Sequence, residues 1–175
     1  MAELMKDDQI TLRALEPEDL DIIYQWENDA ALWQYGATTA PFSRRLILEY
    51  LKTYSADIYA QRQLRLMICL AADGTRVGMI DLFDFDPTHR RASVGLMVDR
   101  QFQNRGIGSR ALAIMADYSR KVLHMHQLSA QVATSNEKSI RLFHRAGYTV
   151  CGTLREWLCT TDGYVDVVQY QLMLE

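Results

Sequence analysis

The chain is poor in cysteine and proline, with 3 of each among 175 residues. The cysteines, Cys69, Cys151 and Cys159, are an odd number without C-x-x-C or paired-histidine spacing. We therefore expect neither a disulfide framework nor a zinc site, and no metal elsewhere. Such isolated cysteines are typical of reduced thiols in a cytoplasmic protein.

Long apolar runs are missing as well. Stretches such as 67–72 are far shorter than the roughly 20 residues that a helical membrane span needs. Residues 1–8 are rich in acidic side chains and lack the basic start and apolar core of a secretory signal. No repeat, low-complexity tract or Pro/Gly-rich linker interrupts the chain, so we expect one domain over 1–175, cytoplasmic and without a membrane partner.

The composition is that of a globular protein, with 49% hydrophobic and 23% charged residues. A net charge of −3 hides a division along the chain. Residues 1–89 carry 8 basic and 15 acidic side chains, residues 90–145 carry 10 and 3, and residues 146–175 carry 1 and 4. This asymmetry suggests two chemically different surfaces. Because the basic excess is confined to one segment, we do not expect nucleic-acid binding.

Hydrophobic periodicity predicts a mixed α/β (α+β) domain with a mainly antiparallel sheet of six or seven strands and about four helices. The predicted helices are 17–31, 43–59 with Ser43 as N-cap, 109–123, and 137–145 closed by Gly147. The predicted strands are 10–14, 64–71, 76–85, 92–98, 128–133, 150–157 and 165–174.

A glycine-containing loop joins one of these strands to a helix. It reads Gln103-x-x-Gly106-x-Gly108, and arginines stand at 100, 105 and 110. Glycines let a backbone approach a ligand closely, and the free N–H groups of a first helical turn attract anions. The loop matches neither a Walker loop, because no Lys-Ser/Thr follows, nor the dinucleotide fingerprint, because Ala111 replaces the third glycine. Alone, the pattern fits equally a simple loop at a helix start.

A second motif follows in Asn136–Tyr148, where a strand leads to an asparagine, a short helix and a Gly-aromatic pair. The two motifs, in this order and separation, resemble those of the GNAT superfamily of acyl-CoA N-acyltransferases. A closer resemblance, to bacterial spermidine N-acetyltransferases, is carried by segments 12–20, 28–31, 88–92 and 162–166. The ribosomal-protein N-terminal acetyltransferases share parts of the same sequence pattern.

The resemblance implies a GNAT-like fold and acetyl-CoA as co-substrate. It implies that the glycine loop holds the pyrophosphate, that the strand before it pairs with the pantetheine arm, and that Asn136 hydrogen-bonds the same arm. The residues expected at the coenzyme are Leu96, Met97, Val98, Gln103, Asn104, Arg105, Gly106, Ile107, Gly108, Ser109, Asn136, Ser139 and Phe143.

The chain departs from the family at two catalytic positions. Ser93 stands where many members have a glutamate, and Phe143 where many have a tyrosine acting as acid. A thiol pKa of about 8.5 makes the thiolate a reasonable leaving group even without a general acid to protonate it. Ser139 is a candidate to hydrogen-bond the sulfur, although a bond to its own helix backbone is an equal alternative.

Candidate bases lie on the strand 76–85. Asp84 and Asp86 are expected on one face, and Asp81 on the other with Phe83 and Phe85. The resemblance points to Asp81 and Asp84, either of which could bind a cationic amine or take its proton through water. Solvated acids at a strand end explain the same pattern.

Other candidates for the acceptor site are Trp33 and Tyr35, between the first two helices, and Glu156 on the penultimate strand. Aromatic rings there could stack on a cation, although core packing is a simpler account.

Together these features predict an N-acetyltransferase that moves an acetyl group from acetyl-CoA to a primary amine by direct attack in a ternary complex. A polyamine acceptor is favoured over a protein N-terminus, and a weakly catalytic acyl-CoA-binding module is the alternative from another class. The resemblance also allows a homo-oligomer. The basic segment 90–145 contains both coenzyme motifs, whereas the acidic segment 1–89 would face the amine.

Overall fold

The computed structural model describes residues 2–33, 40–55 and 57–175. Seven strands form one open sheet in the order β1-β2-β3-β4-β5-β7-β6. The strands are β1 Ile10–Ala14, β2 Leu64–Leu70, β3 Arg76–Asp86, β4 Arg91–Val98, β5 Gln127–Ala133, β6 Thr149–Thr160 and β7 Gly163–Met173. All neighbouring strands are antiparallel except β4 and β5. The predicted sheet is therefore confirmed.

The helices are α1 Leu20–Glu27, α2 Ala30–Trp33, α3 Arg44–Thr53, α4 Ile58–Gln61, α5 Ile107–Lys121 and α6 Glu137–Arg145. Short 3₁₀ turns cover Ala2–Met5, Pro17–Asp19 and Arg100–Phe102. Of the helices in the described residues, α1, α3, α5 and α6 exceed one or two turns, as predicted. Within the same residues, no helix is long and apolar enough to cross a membrane.

The helix predicted over 43–59 is wrong in its length, because two helices occupy this range. Ser43 does cap α3, accepting from the N–H of Leu46 at 3.1 Å. Tyr54 then adopts an extended backbone, and its hydroxyl donates to the main-chain oxygen of Arg65 at 2.9 Å. Asp57 caps the separate helix α4. This long-range contact of Tyr54 accompanies the break in the helix.

The first helix likewise ends earlier than predicted, at Glu27 instead of Ala31. The side-chain amide of Asn28 donates to the main-chain oxygens of Tyr24 and Phe42 and accepts from the N–H of Phe42. Asn28 thus closes α1 and ties its end to the chain that enters α3. Its partner at Phe42 is 14 residues away, beyond the reach of a periodicity argument.

Apolar side chains cover both faces of the sheet. One core packs α5 and α6 against one face and includes Ile80, Leu82, Val94, Leu112, Met115, Leu128 and Tyr148. A second core packs α1 and α3 against the opposite face and includes Leu15, Ile23, Trp26, Ile47, Leu51, Met67 and Met79. The sheet is thus the middle of three layers along β2 and β3.

The parallel strands β4 and β5 stay together only briefly. Their pairing covers residues 91–93 and 127–129 and ends where the hydroxyls of Ser93 and Ser129 lie 3.1 Å apart. On its other side, β4 remains paired with β3 as far as Val98. A Cβ at Gly78 would lie 2.2 Å from the main-chain oxygen of Met97, so a glycine is needed for this close approach. Beyond Ser93, β4 therefore presents an edge without a strand partner.

A fully buried carboxylate holds the start of the chain to the sheet. Asp19 is bonded by Arg13 at 2.8 Å, by Arg76 at 2.6 Å and by the N–H of Glu16 at 2.9 Å. Burial raises the pKa of Asp19, but these hydrogen bonds and the two positive charges outweigh it and leave the pKa lowered. The ion pair therefore stabilises the fold above the ordinary pKa of an aspartate and loses its effect as the pH falls through the lowered value.

We expect Asp19→Asn to lower the free energy of unfolding by about 3 kcal/mol at neutral pH, because two guanidinium groups lose their buried partner. The difference between parent and variant should shrink in acid, where the parent carboxylate becomes protonated. Denaturant unfolding at several pH values measures both effects. Asp21→Asn, which alters an exposed pair with Arg44, is the control and should change stability by less than about 1 kcal/mol. Equal losses in the two variants would contradict this account.

Candidate functional site

A groove of about 1130 Å³ opens where β4 and β5 separate. Its walls are the end of β4, the loop before α5, the first turns of α5 and α6, and the end of α1. The groove crosses the open edge of the sheet, because Leu96 packs with the α5 core whereas Met97 packs with the α1 core. Its size suits a long flexible ligand.

The glycine loop is shorter than the sequence predicted, because α5 begins at Ile107 instead of Ser109 and includes Gly108. Gly106 has φ +80° and Asn104 has φ +62°, and α5 begins immediately afterwards at Ile107. A Cβ at Gly108 would lie 3.2 Å from the Leu142 side chain, so the glycine lets α5 and α6 approach closely. The first N–H groups of α5 have no partner within the helix and lie at the positive end of its dipole. This end of the groove can therefore bind an anion.

Most of the residues predicted at the coenzyme line this groove. They are Leu96, Met97, Val98, Gln103, Asn104, Gly106, Ile107, Gly108, Ser109, Asn136 and Ser139. Two others do not. The Arg105 guanidinium lies over the Phe102 ring, 5.2 Å from its centroid. Phe143 is 4% exposed and belongs to the α5 core, where it packs edge-on against Tyr148.

Asn136 and Ser139 meet at the start of α6. The Asn136 side-chain oxygen accepts from the N–H of Ser139 at 3.1 Å and so caps the helix. Its amide nitrogen remains available on the groove side. The Ser139 hydroxyl has no hydrogen-bond partner among the described residues, so the alternative of a bond to its own helix backbone is not observed. This hydroxyl can serve a ligand.

Two of the three arginines expected around the loop are engaged in ion pairs. Arg110 contacts Asp7 and Asp8, each at 2.7 Å, and Arg100 contacts Asp29 at 3.0 Å. These acids come from the N-terminal segment and from the turn between α1 and α2. The positive charge around the loop is thus smaller than the sequence suggested.

Positive charge also reaches the groove from α6, whose side chains Lys138, Arg141 and Arg145 line it, and of these Arg141 is paired with Glu137 at 3.1 Å. Lys138 donates to the Gln103 side chain at 3.1 Å, and Gln103 donates to the main-chain oxygen of Val98 at 3.1 Å. This chain of hydrogen bonds links α6 to β4 across the loop. Sequence reasoning missed these residues, although their spacing of three and seven positions places them on one helix face.

The acidic residues of β3 do not share one site. Pairing passes from Phe83 opposite Ser93 to Asp86 opposite Arg91, so Asp84 and Phe85 together face a single residue of β4. Asp84, at φ +51°, forms part of this β-bulge. The bulge turns Phe85 into the α5 core, whereas Phe83 is 36% exposed. The predicted shared face for Phe83 and Phe85 is therefore wrong.

Asp84 and Asp86 line a second cavity of about 370 Å³, together with Ser93 and Ser129. Asp86 contacts Arg91 at 3.3 Å, and the N–H of His89 donates to it. The pKa of Asp86 is lowered first by this N–H bond and further by the nearby positive charges. Asp84 is exposed at the rim of the cavity.

Asp81 is instead engaged with Arg65, whose Nε and Nη2 donate to its two oxygens at 2.8 Å each. Arg65 also donates to Glu27 at 2.9 Å. Glu27 lines the groove, and sequence reasoning did not single it out. No local signal could have found it, because Glu27 and Arg65 are 38 residues apart.

One of the three other residues predicted at the acceptor site lines the groove. Trp33 lines the groove, and its indole N–H donates to the main-chain oxygen of Glu27 at 2.7 Å. Tyr35 lies outside the described residues. Glu156 is exposed in β6, with φ +48°, and its N–H donates to Asp166. It lines neither of the two cavities.

Residues 9–149 match the model of the acetyltransferase (GNAT) domain family. The chain belongs to this family. The GNAT fold and the relatives below make it an N-acetyltransferase. In the part of the chain that the structure describes, no group of three or more His, Cys, Asp or Glu is placed to hold a metal ion.

Relatives of this GNAT protein include enzymes named for spermidine. The spermidine N(1)-acetyltransferase of Escherichia coli K12 is 30% identical over 145 residues, which are 83% of this chain and 75% of that protein. YdaF of Bacillus subtilis, named provisionally as a ribosomal N-acetyltransferase, is 27% identical over 95% of this chain and 92% of its own length.

Solved structures share the fold closely. The spermidine N-acetyltransferase of Vibrio cholerae in complex with CoA and spermine superposes with a TM-score of 0.86 at 25% identity, covering 96% of this chain and 97% of that one. A dodecameric form of the spermidine N-acetyltransferase from the same organism superposes with a TM-score of 0.80 at 25% identity, covering 96% of this chain and 95% of that one.

One hydrogen bond anchors the end of β4 at the groove of this GNAT domain. The indole N–H of the buried Trp26 donates to Asp99 at 2.9 Å, directly after β4. We expect Trp26→Phe to lower the free energy of unfolding by about 1.5–3 kcal/mol, since a bond to a charged acceptor is lost. Trp157→Phe, at a side chain 58% exposed, is the control and should change stability by less than about 0.5 kcal/mol. Denaturant unfolding measures the stability of both variants. A free energy of unfolding for Trp26→Phe equal to that of the parent would contradict the anchoring role.

Proposed function

We propose that this protein transfers an acetyl group from acetyl-CoA to a primary amine, with a polyamine such as spermidine as the favoured acceptor. The observation that carries the proposal is the divergence of β4 from β5 beside the N-terminus of α5. The gap leaves an open backbone edge on β4, where Leu96, Met97 and Val98 line the groove and a pantetheine arm can hydrogen-bond to the main chain. The first turn of α5 then faces the pyrophosphate.

The other coenzyme contacts follow from the groove walls. Asn136 would offer its amide nitrogen to the pantetheine arm, and Lys138 would place a positive charge at the phosphates. Arg105 is exposed beside the loop, so its role reduces to the electrostatics of the site. Phe143 is buried and supports α6 from the core, so its role reduces to the shape of the site.

The bound thioester supplies an activated acetyl group. In the transfer, the amine nitrogen forms a bond to the carbonyl carbon while the C–S bond breaks and the thiolate leaves. Of the two protons that the ammonium loses, one ends on the sulfur and the other passes to solvent. We assign the Ser139 hydroxyl to the departing sulfur, because it lines the groove and has no partner among the described residues. Phe143 cannot supply a proton.

An alkylammonium with a pKa of about 10.4 is almost fully protonated at neutral pH, so the site must favour its deprotonation. We propose that Asp84 accepts this proton through water, because it is exposed beside Ser93 at the point where the strands separate. Asp81 would act through Arg65, which holds both of its oxygens. Within the described residues no cysteine lines the groove, which agrees with direct transfer in a ternary complex, whereas Cys151 lines the second cavity.

The polyamine preference rests on the spermidine enzymes among the relatives and on the acidic first half of the chain. A protein N-terminus is the second candidate, since YdaF carries a ribosomal name. We further propose a cytoplasmic enzyme that forms a homo-oligomer, because one structural relative is described as dodecameric.

The acceptor can be identified with an amine panel. We expect spermidine and spermine to release CoA from acetyl-CoA faster than N-terminal peptides or aminoglycoside amines, as followed with a thiol reagent. Polyamine rates equal to buffer blanks would overturn the polyamine assignment. Faster peptide turnover would establish an N-terminal acetyltransferase, and CoA binding without turnover of any amine would favour an acyl-CoA-binding module.

The placement of the coenzyme phosphates can be checked at Lys138. We expect Lys138→Ala to weaken CoA binding up to about fivefold at low salt, because one positive charge leaves a solvent-exposed contact. The effect should diminish at high salt, where the charges are screened. Calorimetric titration measures both affinities. Lys52→Ala, in the exposed last turn of α3, is the control, and an equal loss in both variants would contradict this placement.

A further inference from the structure

The groove of the proposed acetyltransferase has one wall whose chemistry differs from that of the phosphate loop. This wall consists of Trp26, Glu27 and Trp33 from the first two helices and Met79 and Met97 from the sheet. The Glu27 side chain is 23% exposed and is the carboxylate among these five residues. A negative charge between aromatic and thioether side chains is an environment that an alkylammonium can enter.

Glu27 is held firmly in this position. One carboxylate oxygen accepts from Arg65 Nη1 at 2.9 Å, and the other has no hydrogen bond among the described residues. Arg65 is fixed in turn by its two bonds to Asp81. The main-chain oxygen of Glu27 accepts from the Trp33 indole, so the ring stays beside the same residue. Glu27 is thus preorganised toward the groove.

The cluster of Glu27, Arg65 and Asp81 has an excess of one negative charge. Burial lowers the pKa of Arg65, but the two carboxylates outweigh it and raise the pKa, so the guanidinium stays charged. Burial raises the pKa of the adjacent Tyr50 to about 12, so this phenol contributes no charge at neutral pH. One guanidinium neutralises only one of the two partly buried carboxylates. A second cation bound beside them would neutralise the other.

The Tyr50 hydroxyl is a second sign that this cluster is incomplete. Its oxygen is buried and has no hydrogen-bond partner in the described part of the chain. A buried hydroxyl without a partner is uncommon and costs free energy unless a ligand or solvent satisfies it. The Tyr50 ring packs against Tyr54, with 5.4 Å between the ring centroids, and the Tyr54 hydroxyl donates to the main-chain oxygen of Arg65 at 2.9 Å. The unsatisfied hydroxyl therefore belongs to the same packed region as Arg65.

We infer that Glu27 binds the ammonium group of the acceptor amine, with Arg65 and Asp81 as positioning residues and the Trp33 ring beside the cation. The inference rests on the proposed function and adds a specificity-determining residue to it. It also separates two roles, because Asp84 lies in the second cavity whereas Glu27 lies in the groove itself.

The decisive variant is Glu27→Gln, which removes the charge and keeps the size of the side chain. We expect the KM for spermidine to rise at least about tenfold, because a charge-assisted contact is lost, while CoA affinity and the kcat at saturating amine change little. Glu27→Asp keeps the charge on a shorter chain and should give an intermediate KM. The matched control is Glu49→Gln, an exposed glutamate of α3 paired with Arg45, and its KM should equal that of the parent.

Unchanged KM values in Glu27→Gln would overturn the inference, as would a rise in KM confined to Asp84→Asn. If the parent acetylates no amine, the proposed function itself fails, which is a different result from a variant without effect. If Glu27→Gln loses CoA binding through misfolding, the decision passes to Glu27→Asp in the same assay. A parental KM in that variant would overturn the inference, whereas an intermediate KM with intact CoA affinity would support it.

Discussion

The separation of two parallel strands is the constraint on which the rest of this site depends. β4 and β5 are paired at residues 91–93 and 127–129 and then part. Parallel neighbours end at the same edge of a sheet, so the helices that follow them, α5 and α6, begin at the same edge too. Two helix N-termini, an open strand edge and a cleft thus arise together. A longer ladder between β4 and β5 would close the groove.

Such an open edge needs support from elsewhere in the fold. β3 holds β4 on its other side as far as Val98, with Gly78 allowing the close approach. Trp26 bonds to Asp99 just beyond the strand, and Gln103 bonds back to Val98. These contacts keep the end of β4 in place where β5 does not. The groove therefore depends on contacts that come from other parts of the fold.

Ion pairs between segments change the distribution of charge from the one that the linear sequence indicates. The basic middle segment and the acidic first segment partly neutralise each other, since Arg110 pairs with Asp7 and Asp8 and Arg100 pairs with Asp29. Lys138 lines the groove beside the glycine loop, and Glu27 lines it from the end of α1. One groove thus carries side chains of both signs, as an anionic coenzyme and a cationic acceptor would require.

The sequence by itself determined the elements and the coenzyme motifs, because these depend on local properties. Alternation and helical periodicity located the strands and helices, glycines marked the loop before α5, and Asn136 marked the start of α6. Only the tertiary structure decided the partners. Arg110 and Asp7 are 103 residues apart, and Asp81, Arg65 and Glu27 meet because β2, β3 and α1 pack together. The bulge at Asp84 turned Phe85 inward, and packing placed Phe143 in the core. Such contacts depend on which elements adjoin, and a local pattern does not contain that information.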